Sequence, residues 1–193
     1  MISSAAPGEG KTTIALSLVR ALVDSGRTAL LVDGDLRQPS LHVHVGLQPS
    51  AGLSEYLLNV AESPAITEIV VRDPASGASL ILGARRKNLP TGNRFGGEAM
   101  RRLLAVARQN FDVVILDTPP IGPVIDGVYL AESADIIVFV LTPAGTTQAD
   151  ARIALAALAE VKSEPAEILV AINQDHQARP RRHASYRRYY EDA

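Results

Sequence analysis

Lys11 and Thr12 close a run of small residues, and Asp33, Asp35 and Asp117 cluster at the ends of two later apolar runs. A lysine, a hydroxyl and several carboxylates are the groups that hold a polyphosphate and its bridging cation. Residues 5–12 read Ala-Ala-Pro-Gly-Glu-Gly-Lys-Thr, the Walker A pattern with Ala5 in place of the first glycine. Small residues let successive backbone N–H groups turn inward around a phosphate, and Gly8 and Gly10 allow close approach and unusual dihedrals. Lys11 brings a point charge to the β- and γ-phosphates, and the Thr12 hydroxyl is a natural Mg²⁺ ligand. A helix predicted to start here turns its positive end to the same anion. Pro7, Gly8, Glu9, Gly10, Lys11, Thr12 and Thr13 are therefore the expected cradle for ATP.

Leu30-Leu31-Val32-Asp33-Gly34-Asp35-Leu36-Arg37 ends an apolar run with two acids, and Val113-Val114-Ile115-Leu116-Asp117 ends a second with one. In extended backbone Asp33 and Asp35 point to the same side. A lone aspartate after a strand is commonly a turn residue or helix cap. Two such ends together with a phosphate loop fit Mg-nucleotide chemistry, which places carboxylates near the metal on a rigid edge. Asp117 suits the Walker B role, binding Mg²⁺ through water. Asp33 or Asp35 orients or deprotonates the attacking hydroxyl, and the spacing leaves both open. The catalytic set is thus Lys11, Asp33, Asp35 and Asp117. Arg37 either reaches a phosphate or a neighbouring subunit, or is a surface arginine paired with an aspartate. Asn173 closes the last apolar run and either reads an adenine edge or forms a turn.

These residues need a scaffold that brings their strand ends together. Strand-type runs occur at Thr28–Asp33, Ser79–Leu82, Asp112–Asp117, Asp135–Leu141 and Glu167–Asn173. Helical periodicity fills the intervals: Thr12–Asp24, with Ile14, Leu16, Leu18, Ala21 and Leu22 on a broad apolar face, then Gly52–Asn59, Gly97–Gln109 and Gln148–Val161. Alternation of this kind predicts βαβ units: an α/β P-loop NTPase fold with a mostly parallel sheet, helices on both faces and ligands at the strands' C-terminal edge. Apolar residues make up 47% of the chain and aromatics only 4%, so the core is expected to be aliphatic. The 193 residues fit one domain, expected over residues 1–175, followed by a flexible Arg/Tyr-rich tail at 176–193. Gly83–Gly96 reads as a surface loop. Only Met1–Ser4 precede the phosphate loop, so the chain is expected to begin inside the strand that carries it: a fragment, a misplaced start, or an unusually short strand. The net charge of −2 gives no reason to expect nucleic acid, and the absence of cysteine excludes a disulfide framework and thiolate metal sites. No apolar run approaches the ~20 residues of a membrane span. The loop at the N-terminus stands where a signal peptide would, and the expected compartment is the cytoplasm.

Three motifs in order resemble the bacterial tyrosine kinases, the cytoplasmic domains of polysaccharide co-polymerases. They are Ser3–Thr12, then Leu31-Val32-Asp33-Gly34-Asp35-Leu36-Arg37-Gln38-Pro39-Ser40, then Asp117-Thr118-Pro119-Pro120. Related partition and septum-positioning ATPases usually carry a signature lysine five residues before the P-loop lysine, where this chain has Ala6. The resemblance implies ATP and Mg²⁺ as cofactors, with Asp33, Asp35 and Asp117 handling the metal and a tyrosine hydroxyl. It also implies an autophosphorylated C-terminal cluster, here Tyr186, Tyr189 and Tyr190, modified in trans within a homo-oligomer. The implied setting is exopolysaccharide or capsule export, at the inner face of the cell membrane through a co-polymerase segment in cis or on a separate chain. A P-loop ATPase with water as acceptor, and a non-catalytic nucleotide-gated assembly module, are the alternatives. The loop at Gly83–Gly96 and the short tyrosine cluster depart from the family pattern.

Overall fold

The predicted strands form, each within a residue or so of its expected bounds, because every one is an apolar run bounded by turn residues or by an acid. The structure, a computed structural model, describes residues 1–48, 50–58, 65–83, 92–122, 126–143 and 145–175. In chain order the elements are β1 (Ile2–Ser4), α1 (Lys11–Asp24), β2 (Ala29–Asp33), α2 (Leu41–Val45), α3 (Leu53–Leu58), α4 (Ile66–Ile69), β3 (Val70–Arg72), β4 (Ser79–Ile81), α5 (Gly92–Phe95), α6 (Glu98–Asn110), β5 (Val113–Asp117), α7 (Asp126–Ala131), β6 (Ile136–Leu141), α8 (Gln148–Val161) and β7 (Glu167–Ile172).

The strands make one seven-stranded sheet in the order β3-β4-β2-β5-β1-β6-β7, parallel except for the β3–β4 pair. Central strands are buried on both faces, which explains their continuous rather than alternating apolarity. On β2, Leu30 and Val32 face a core with α6, α7 and α8, while Ala29 and Leu31 face one with α1 and α2. β6 divides likewise, Ile137 and Phe139 to the first core and Val140 to the second. Each fully buried Leu, Ile, Val or Phe side chain among these contributes about 1.5–3 kcal/mol of transfer free energy. Both cores are mainly aliphatic, as the composition requires.

Several expectations are corrected. On α1 the buried stripe is Ala15, Leu16 and Val19, whereas Leu18 is 39% exposed and Ala21 is exposed. A face wide enough to hold all five expected residues exceeds what the sheet covers. The surface loop expected over Gly83–Gly96 ends in α5, whose Phe95 is buried and whose Arg94 donates to the Leu57 carbonyl. Residues 84–91 of that segment lie outside the described residues, as do residues 176–193 with Tyr186, Tyr189 and Tyr190. β1 is three residues long and pairs with both β5 and β6. Antiparallel β3 was not expected, being short and only partly apolar. Among the described residues no helix is long and apolar enough to cross a membrane.

Candidate nucleotide-binding site

The loop between β1 and α1 has the shape its sequence demands. Gly8 and Gly10 adopt φ of 82° and 87°, a region that strains residues with a Cβ. At Gly10 a Cβ would also collide with the Asn173 side-chain amide. α1 begins at Lys11, itself only 8% exposed, and the Ile14 N–H donates to the Gly10 carbonyl at 3.0 Å. Burial lowers the Lys11 pKa, opposed by the negative charges of Asp117, Asp35 and Glu9.

A cavity of about 570 Å³ opens over this loop. Pro7, Gly8, Gly10, Lys11, Thr12 and Thr13 line one side, and Asp35, Arg37, Ser40, His44 and the Thr118-Pro119-Pro120 segment line the other. Glu9 and Asn173 are placed behind the loop. Glu9 is 4% exposed, and its carboxylate accepts from the Ala6 N–H at 2.8 Å and from the Thr146 hydroxyl. Asn173 Nδ2 donates to the Glu9 carbonyl at 2.9 Å, so in this structure its amide holds the loop rather than facing a base. Gln174, not among the expected site residues, belongs to the site: it takes φ of 56°, lines the cavity and donates to the Gly8 carbonyl at 3.1 Å.

Asp33 and Asp117 stand side by side, in register at the ends of neighbouring β2 and β5 and each 1% exposed. Asp33 Oδ2 accepts the Leu41 N–H at 3.3 Å, but Oδ1 of both aspartates has no partner among the described residues. Burial pushes Asp33 up to about 8, with the Asp117 charge adding to the rise. Burial also lifts Asp117, to about 6, against the Thr12 hydroxyl and the Lys11 charge. Buried carboxylate oxygens without partners are costly, and hard oxygen donors beside a phosphate loop are what Mg²⁺ takes, usually one or two carboxylates with phosphates and waters completing its shell. The residues present therefore fit the metal.

β2 stops at Asp33, and the Gly34 N–H makes the last ladder bond to β5, to the Asp117 carbonyl at 2.7 Å, so Asp35 lies beyond the sheet. Asp35 is consequently only half-buried and on the cavity wall, with Oδ1 accepting the Gln38 N–H at 3.0 Å. Arg37 combines features of both its readings. Its Nε donates to Oδ2 of buried Asp126 at 2.7 Å while the residue remains on the cavity wall. The Thr12 and Ser40 hydroxyls are 3.2 Å apart. Asp126, Thr146 and Gln174 were not expected; they lie 89, 137 and 166 residues from their partners, and nothing local in the sequence pairs them.

The family model described as an AAA domain matches residues 1–163, and the chain belongs to that family. The tyrosine-protein kinase YwqD of Bacillus subtilis (strain 168) is 33% identical over 164 residues, covering 85% of this chain and 68% of YwqD. This chain is a bacterial tyrosine-kinase domain. The kinase domain of Escherichia coli tyrosine kinase ETK superposes with a TM-score of 0.79 at 26% identity, over 93% of this kinase domain and 69% of that chain. The succinoglycan biosynthesis transport protein ExoP of Rhizobium meliloti (strain 1021) is 35% identical over 145 residues, 72% of this domain but 18% of ExoP. The kinase domain thus spans a small part of some relatives and most of others. Membership supports nucleotide use at the cavity.

Proposed function

We propose that this kinase domain transfers the γ-phosphoryl group of Mg-ATP to tyrosine hydroxyls, first among them Tyr186, Tyr189 and Tyr190 of its own C-terminal segment, in trans between copies. The observation that carries the reading is the pair of unpartnered buried oxygens on Asp33 and Asp117 beside the phosphate loop, with Asp35 open to the same cavity. Lys11 and the loop N–H groups bind the β- and γ-phosphates and fix the γ-phosphorus for in-line attack. Thr12, Asp33 and Asp117 would hold Mg²⁺, whose charge would offset that of the phosphate oxygens. Asp35 takes the proton of the incoming tyrosine hydroxyl as its oxygen bonds to phosphorus and the bond to the β–γ bridging oxygen breaks. Asp35 suits this better than Asp33 because it lines the cavity.

The C-terminal sequence supports the choice of acceptor. Between His176 and Tyr190 it carries five arginines and no acid. Each phosphate adds about −1.5 to −2 charge, so multiple phosphorylation reverses the sign of the segment and releases it from acidic surfaces. Several relatives are tyrosine kinases by name, and ExoP is named for succinoglycan biosynthesis and transport. The proposed role is accordingly control of exopolysaccharide or capsule export, with a membrane co-polymerase segment as partner and a cytoplasmic site of action. Mass spectrometry after incubation with Mg-ATP tests this: phosphotyrosine is expected at 186, 189 or 190 and is lost in Lys11→Met. Phosphate release without protein labelling would assign water as acceptor and overturn the kinase reading. ATP binding with neither release nor labelling would leave an assembly module.

A further inference from the structure

An acid inside a phosphate loop is electrostatically awkward, because a carboxylate turned toward a triphosphate repels it. The fold resolves this by turning Glu9 outward. Its Oε2 accepts the Ala6 N–H at 2.8 Å, closing the first turn of the loop on itself. Its Oε1 accepts the Thr146 hydroxyl, and that oxygen in turn accepts the Thr142 N–H at 3.0 Å, so the carboxylate reaches the turn between β6 and α8. The carbonyl of the same residue accepts the Asn173 amide at the end of β7. Glu9 is therefore held from three directions: its own loop, the β6–α8 turn and the β7 end.

The neighbouring carbonyls are held in the same way. Ala6 O accepts the Ser4 hydroxyl at 2.8 Å, Gly8 O accepts the Gln174 amide, and Gly10 O accepts the Ile14 N–H. A loop whose carbonyls and acid are pinned on the outside presents its N–H groups to the inside, and ordering it before the ligand arrives removes an entropic cost from binding.

We propose that Glu9 is a positioning residue, a carboxylate clamp between the phosphate loop and Thr146 that keeps the loop amides aimed into the cavity. The inference rests on the nucleotide-binding part of the proposed function. It differs from a purely fold-stabilising contact in acting on nucleotide affinity beyond any change in melting temperature.

Titration of the 193-residue chain with a fluorescent Mg-ATP analogue, alongside thermal melts without nucleotide, is the test. Glu9→Ala is expected to weaken binding by about tenfold or more while the melting temperature moves by less than about 3 °C. Glu9→Gln keeps the shape and one acceptor oxygen, so its affinity is expected to lie between those of the parent and Glu9→Ala. Thr146→Ala weakens binding less than Glu9→Ala, Thr146→Ser restores it, and Glu9→Ala/Thr146→Ala is no weaker than Glu9→Ala alone. Parental affinity in Glu9→Ala, additive losses in the double variant, or losses that merely track the melting temperature overturn the proposal. If Glu9→Ala does not fold, equal affinities for the parent, Thr146→Ala and Thr146→Ser overturn it. A parent that binds Mg-ATP without making phosphotyrosine sinks the kinase reading and leaves this test intact; a parent that binds no Mg-ATP sinks both.

Discussion

Asp33 and Asp73 are both buried aspartates, and they sit in opposite electrostatic worlds. Asp73, at the β3–β4 turn, is fully served: Arg20 donates from Nε at 2.8 Å and from Nη2 at 2.9 Å, and Ser76 donates its hydroxyl at 2.7 Å and its N–H at 3.2 Å. The Arg20 pair holds its carboxyl down at about 2. Asp33 has a long N–H bond from Leu41, an oxygen without a partner among the described residues and a second carboxylate beside it, and burial carries it to about 8. Arg20 lies on α1, the helix that the phosphate loop opens, so the two acids flank one mechanical unit. Burial alone does not say what an acid is for. A satisfied acid joins elements, and an unsatisfied one waits for a cation.

The largest expected effect separates the two by function. Asp33→Asn or Asp117→Asn is expected to lower tyrosine phosphorylation by at least about 10²-fold, the scale for losing one preorganised electrostatic group. Asp73→Asn, assayed at a temperature where it is folded, is expected to keep the parental rate. A labelling time course with all three variants decides, and near-parental labelling by Asp33→Asn breaks the contrast.

Acidity gives the next contrast, with opposite signs. Asp33 has a folded pKa raised above its unfolded 3.8, so the native state binds the extra proton, and without metal its stability falls as pH rises from about 4 toward 8. Asp117 acts in the same sense over a lower range, ending near 6. Asp73 has a lowered pKa, so its contribution is present above 3.8 and is lost as pH falls toward 2. Thermal melts of the metal-free protein should therefore decline from pH 5 to pH 6; from 6 to 8 the buried Met1 amine, its pKa lowered to about 6, works in the opposite sense, and Asp33→Asn should remove the falling contribution and leave a slope more positive than the parent's across the range. An unchanged slope in Asp33→Asn would remove the electrostatic reading of the site.

How far the sequence carried these distinctions depends on range. The phosphate loop, Asp33 and Asp117 were legible because each is a local pattern: small residues before a helix, or an acid closing an apolar run. Strand positions were legible for the same reason, the central ones being apolar on both faces. What separates Asp33 from Asp35 was not legible, because it depends on β2 stopping at Asp33, where Gly34 bonds to the Asp117 carbonyl from another strand. Nor was the service of Glu9 by Thr146, of Arg37 by Asp126 or of Asp73 by Arg20, pairs separated by 137, 89 and 53 residues. Gln174 was not expected in the site because a non-glycine residue at positive φ leaves no mark in the sequence.

The third expected effect is on stability. Asp73→Ala removes four hydrogen bonds and strands Arg20, whose side chain is 34% exposed and recovers water. A cost of about 2–3 kcal/mol follows, nearer the value for hydrogen bonds to a charged group than for a fully buried broken pair. Urea denaturation measures it, and a cost below that of a surface substitution would mean that the Asp73 contacts do not hold α1 to the β3–β4 turn.

The smallest effect marks the other limit of the comparison, an acid with a partner but no burial. Glu98 in the first turn of α6 accepts from Arg102 at 3.2 Å, with the two side chains 71% and 52% exposed. Water screens this pair, and holding two long side chains in one geometry costs entropy, so it contributes only about 0.3–0.5 kcal/mol. The position near the positive end of the helix dipole adds an amount of similar size. Glu98→Gln should therefore shift the urea midpoint slightly, and less again in high salt, because both contributions are screened. A salt-insensitive loss as large as that of Asp73→Ala would show that proximity of opposite charges, rather than burial with full satisfaction, sets the worth of an acid in this fold.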